Sequence, residues 1–93
     1  MAIESLTDWV FSSQSDVWSF GVVLWEIFSL AKVPYPGISF NQLIQGLQNG
    51  YRMTKPEFAP DEIGQLMADC WKSEPNQRPT FNQLVEALRA TFN

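Results

Sequence analysis

Between Ser15 and Leu30 the chain carries Val17, Trp18, Phe20, Val22, Val23, Leu24, Trp25, Ile27, Phe28 and Leu30, so a helix here is apolar on nearly every side. Such a helix is stable only when other elements surround it, which makes this segment the central post of a packed fold. Ser15 as cap and Asp16 in the first turn suit a helix start. The longest unbroken apolar run, Phe20 to Trp25, is far short of the roughly 20 residues of a membrane span. Most residues of this helix therefore read as core, with no chemistry of their own.

The rest of the chain supplies helices to pack around it. Pro34-Tyr35-Pro36-Gly37 is dense in turn formers, and Ser39 with Gln42 makes a capping box that opens a helix with apolar Phe40, Leu43, Ile44 and Leu47. Gly50 is placed to end it in a left-handed conformation. Residues 51–59 read as irregular, after which Pro60, Asp61 and Glu62 suit a first turn and Ile63, Leu66, Met67, Cys70 and Trp71 keep helical spacing. Thr80 with Gln83 forms a second capping box before an apolar stripe of Phe81, Leu84, Val85, Leu88 and Phe92. No strand alternation, repeat or linker interrupts this pattern. The expected fold class is all-α: one domain of four main helices, built around the apolar one as its central member.

Composition removes several function classes. Among 93 residues, 45% are hydrophobic and 14% aromatic, a packed interior rather than a disordered tail. Ten acidic against six basic residues give a net charge of -4, and the scattered bases form no stripe that could follow a nucleic-acid backbone. The sequence has no His, which removes the usual general base, the commonest metal ligand and any Ser-His or Cys-His nucleophile. Cys70 is the single cysteine and no Asn-x-Ser/Thr acceptor occurs, so nothing marks the chain as secreted.

Three short strings in order are far more specific than any one helix: Ala2-Ile3-Glu4-Ser5, Ser15-Asp16-Val17-Trp18-Ser19-Phe20-Gly21-Val22, and Cys70-Trp71 followed by Gln77-Arg78-Pro79-Thr80-Phe81. Together they resemble the second half of the C-terminal lobe of protein kinases, from the Ala-Pro-Glu motif to the last helix. The resemblance covers essentially all of residues 1–93, which implies a partial kinase domain and the helical C-terminal subdomain of that fold. Leu24-Trp25-Glu26-Ile27-Phe28 and Pro34-Tyr35-Pro36-Gly37 narrow it to receptor tyrosine kinases, and residues 28–37 look most like the PDGF/VEGF receptor class of invertebrates.

The resemblance also implies roles. Glu4 matches the glutamate of Ala-Pro-Glu and Arg78 the arginine that pairs with it; a lone Glu or Arg is otherwise a solvated surface charge. A fork-shaped guanidinium suits a carboxylate held in a buried site. Asp16 matches the residue that accepts hydrogen bonds from the catalytic-loop backbone, though a helix N-terminal acid with only a dipole role reads equally well. Gly21 would admit a neighbouring segment closely, and Val23 and Ile27 match positions supporting the residues under the adenine ring. Core packing is the better reading for Trp18, Trp25 and Trp71.

Kinase chemistry needs a Gly-rich loop, a strand lysine, the Asp of His-Arg-Asp and the Asp of Asp-Phe-Gly. None occurs in this sequence. The chain is thus expected to hold no catalytic, cofactor or metal residue of its own, with ATP and magnesium belonging to the parent domain. Its implied partners are the remainder of that domain and, for the parent, protein tyrosine substrates, with no nucleic acid and no membrane contact. The implied setting is the cytoplasmic part of a single-pass plasma-membrane receptor, and Met1 falls where the family carries an internal methionine. Ile3 in place of proline, Trp9 where a base is common and Gly64 where tyrosine is frequent depart from the pattern. Two other readings stand beside the active receptor kinase: the same part of a catalytically dead kinase that acts by binding, and a freestanding helical interaction module.

Overall fold

In the computed structural model, residues 1–30, Lys32, 34–35 and 37–92 are described, Phe92 by its backbone alone. The expected turn residue Pro36, Ala31 and Val33 of the subclass string, and the Phe92 side chain of the last stripe lie outside the described residues. The described part forms helices α1 (Ile3–Asp8), α2 (Ser13–Phe28), α3 (Phe40–Gln48), α4 (Asp61–Cys70) and α5 (Phe81–Phe92), with one tight 3-10 turn at Pro75–Gln77. It is an all-helical fold, and α2 to α5 are the four main helices the sequence predicts.

Local chemistry explains most boundaries. At α3 the Ser39 hydroxyl accepts from the Gln42 N–H while the Gln42 side chain accepts from the Ser39 N–H. Thr80 and Gln83 exchange the same pair of bonds at the start of α5. The helix α3 ends where Gly50 adopts φ 97° and the N–H groups of Gly50 and Tyr51 turn back to the carbonyls of Leu47 and Gly46, the double bond pattern that satisfies a helix's last acceptors.

Two expectations need correction. The apolar helix begins at Ser13 and ends at Phe28, and its cap is Ser12; Ser15 is instead the residue three positions on, whose hydroxyl accepts from the Ser12 N–H. Two serines thus make the reciprocal box usually made with Glu or Gln. Among the described side chains of α5 only Leu84 is buried and Leu88 partly so, while Phe81 and Val85 are exposed; Phe81 still meets Phe20 edge-on at 6.0 Å. The short helix α1 has no counterpart in the sequence reading. It has six residues and no side-chain cap, so local sequence gives it little and its tertiary contacts hold it.

The core lies mainly between α2 and α4, with α5 against α4, α1 against α3, and the Pro75–Gln77 turn against α2. From α2 come Val17, Trp18, Gly21, Leu24 and Trp25, and from α4 Ile63, Met67 and Cys70. The buried set on α2 keeps the i, i+3, i+4, i+7 spacing of one stripe. A helix that looks apolar all round is therefore covered along one side only. Burial pushes the Cys70 thiol up to about 12, with the Asp69 charge adding to the rise, so this cysteine is an inert core residue.

Gly21 marks a close approach of α2 to the C-terminal end of α4. A β-carbon placed there would lie 2.7 Å from Trp71 Nε1 and 2.8 Å from Cys70 Cβ, where Trp71 Nε1 donates to the Trp18 carbonyl at 3.2 Å. Gly21→Ala gains about 1 kcal/mol of helix propensity, but over-packing a rigid core costs about 1 to 3 kcal/mol. Because the clash is with an indole and a backbone-linked carbon, the loss wins. The expected result is a lower urea midpoint with an unchanged slope in a domain carrying this segment.

Candidate functional site

Arg78 follows the 3-10 turn in an extended conformation and points inward, its side chain fully buried. Its two terminal nitrogens grip Glu4 from both oxygens, Nη1 to Oε2 at 2.7 Å and Nη2 to Oε1 at 2.8 Å, across 74 positions of sequence. Nη1 also donates to the Gln14 carbonyl at 3.0 Å and Nε to the Lys72 carbonyl at 2.9 Å. One side chain thus ties α1, the start of α2 and the loop after α4 together. Partial burial would raise the Glu4 pKa, but the hydrogen bonds and charge of Arg78 outweigh it and hold the carboxyl below its ordinary range.

Trp18 lies beneath this pair, fully buried, with the Arg78 guanidinium carbon 4.9 Å from its ring centroid. A second guanidinium, that of Arg52, sits 4.8 Å from the same centroid. Arg52 donates from Nε to the Trp71 carbonyl at 2.7 Å and from Nη1 to the carbonyls of Leu47 at 2.9 Å and Tyr51 at 2.7 Å, and Nη2 donates to the Ser73 hydroxyl at 3.2 Å. These carbonyls belong to the ends of α3 and α4, where a cation also suits the helix dipole. Sequence reasoning missed Arg52: its acceptors are mostly backbone oxygens, some of them about twenty positions away, and no motif marks them. The buried Trp18 indole N–H has no hydrogen-bond acceptor among the described residues.

The remaining site residues are not gathered with these. Gly21 lies one turn further along α2 at the α4 contact. Asp16 is exposed, as are Val23 and Ile27, which with Glu26 and Leu30 line an open shallow depression on the uncovered side of α2. No group of three or more Asp, Glu, Cys or His side chains converges among the described residues, and Asp16 stands alone. No helix among the described residues is long and apolar enough to cross a membrane.

A sequence model described as protein tyrosine and serine/threonine kinase matches residues 1–88. The chain belongs to that kinase family. Curated relatives place it with receptor tyrosine kinases. The fibroblast growth factor receptors of Ciona intestinalis and Halocynthia roretzi are each 52% identical over 88 residues, covering 95% of this chain and 12% of the receptor. Fibroblast growth factor receptor 1 of Xenopus laevis is 54% identical over 88 residues, with 95% and 11% covered. The kinase segment thus spans about an eighth of the length of the relatives it matches, as part of a receptor tyrosine kinase domain. The PDGF/VEGF class suggested by residues 28–37 is not supported; the relatives are fibroblast growth factor receptors.

Proposed function

We propose that residues 1–93 form the C-terminal helical part of a receptor tyrosine kinase domain of the fibroblast growth factor receptor branch, from the Ala-Ile-Glu string at residues 2–4 to the last helix. Its task is scaffolding. Glu4 and Arg78 anchor the end of the activation segment to the last loop of the lobe. Asp16, Val23 and Ile27 form the face on which the catalytic loop and the supports of the adenine ring rest, and Trp18 and Gly21 hold that helix to α4. ATP and magnesium, and the transfer of phosphate to protein tyrosine, belong to residues elsewhere in the parent, which lies on the cytoplasmic side of a single-pass receptor. The partners are the rest of the domain and the tyrosine substrates of the parent. Fixing the walls of an active site contributes by holding reactants in a productive geometry, where a displacement of an ångström is costly.

The observation that carries this reading is the match of residues 1–88 to the kinase family together with 52% to 54% identity to receptor kinases over 88 residues. The test is a chimera in which residues 1–88 replace the matched segment of the Ciona receptor kinase domain. ATP-dependent tyrosine phosphorylation is expected from the chimera and none from the 93-residue chain alone. A soluble, cooperatively folding chimera without phosphate transfer, or transfer by the purified chain itself, would refute the assignment.

A further inference from the structure

Two cations share one buried ring. The guanidinium carbons of Arg52 and Arg78 lie 4.8 and 4.9 Å from the Trp18 centroid, and their Nε groups donate to consecutive carbonyls, Trp71 and Lys72, at the exit of α4. Like charges repel, and the Arg52 pKa is lowered, first by burial and also by the Arg78 charge. The face of an indole attracts a cation, by an amount that grows as water is excluded, and Trp18 is fully buried.

We infer that Trp18 couples Arg52 to the Glu4–Arg78 pair, so that Arg52, in the stretch that follows α3, is a positioning residue for the anchor on α1 although it makes no contact with Glu4. Each guanidinium is fixed by carbonyls on one edge and by the shared ring on its face. Losing Arg52 frees the Trp71 carbonyl, lets the exit of α4 relax, and moves the Lys72 carbonyl that orients Arg78. Arg78 then loses the fork geometry that meets both Glu4 oxygens.

The proposal rests on the kinase reading only for its host, the chimeric domain described above, whose folding and activity are scored separately. The probe is exchange of the Arg78 Nε–H with solvent, followed by nitrogen-15 resonance, because local opening of a buried bond is read directly by such exchange. Arg52→Lys keeps the charge and much of the packing but cannot reproduce the planar fork. It is expected to speed Arg78 Nε–H exchange by about tenfold or more, an amount equal to about 1.4 kcal/mol, while the backbone amide of Leu24 keeps its rate. Trp18→Phe, with a weaker π face, is expected to do the same to a smaller degree, and Arg89→Lys to change nothing. Unchanged Arg78 exchange in Arg52→Lys overturns the coupling, and so does acceleration shared equally by Leu24, which would mean general loosening alone.

Discussion

Arg78→Ala is expected to lower the stability of a kinase domain carrying this segment by about 3 kcal/mol, the lower part of the usual 3 to 5 kcal/mol for stranding one partner of a buried ion pair. The lower figure applies because Glu4 keeps an edge in solvent while Arg78 has none. The part-buried Gln14 and Lys72 carbonyls lose their donor in the same step, and that loss is included in the figure of about 3 kcal/mol. Arg78→Lys keeps the charge but cannot span both carboxylate oxygens, so its loss should be smaller yet clearly measurable. The pair also gives a pH signature. The Glu4 pKa is lowered in the folded state, so its contribution is present above the ordinary Glu value, about 4.3, and is lost as pH falls below that value through the folded one. Glu4→Gln should remove that acid-dependent component. A denaturant midpoint unchanged in Arg78→Ala would show the pair to be energetically idle.

What the sequence made legible was local. The Ser39–Gln42 and Thr80–Gln83 boxes are written in four residues each, and the structure forms both. The Ser12–Ser15 box escaped because a serine takes the position where Glu or Gln is the usual signal. The helix α1 escaped because six residues without a capping side chain have little propensity to declare. Longer-range features divide differently. The pairing of Glu4 with Arg78 was expected only through family resemblance, since no periodicity links positions so far apart. The environment of Arg52 had no signal at all: backbone carbonyls carry no residue type. The open side of α2 is a third case: uniform apolarity shows that cover is needed but not where, and the face of Asp16, Val23 and Ile27 was expected to be open only through family resemblance.

The isolated 93-residue chain is expected to be helical but loosely packed, and this follows from that open side. Val23, Ile27 and Leu30 are 47%, 62% and 75% exposed and border one depression. Trp9 and Phe11, edge-on at 6.3 Å, add a second exposed apolar site at 79% and 62%. The accessible surface is 5916 Å², against about 5,500 Å² for a folded monomer of this mass. The radius of gyration is 13.0 Å with extents of 40 × 27 × 18 Å, against about 12 Å for a compact chain of this length. The helices satisfy their own backbone bonds, so secondary structure persists when fixed packing weakens, whereas contiguous apolar patches promote association. The measurements are far-ultraviolet dichroism, expected to be strongly helical; near-ultraviolet dichroism from the four Trp, expected to be weak; and an apolar dye, expected to bind. Ile27→Glu should reduce both dye binding and self-association without loss of helix, because the substituted side chain already faces water. A sharp cooperative melt of a dispersed monomer that binds no dye would sink this expectation and favour a module built to stand by itself.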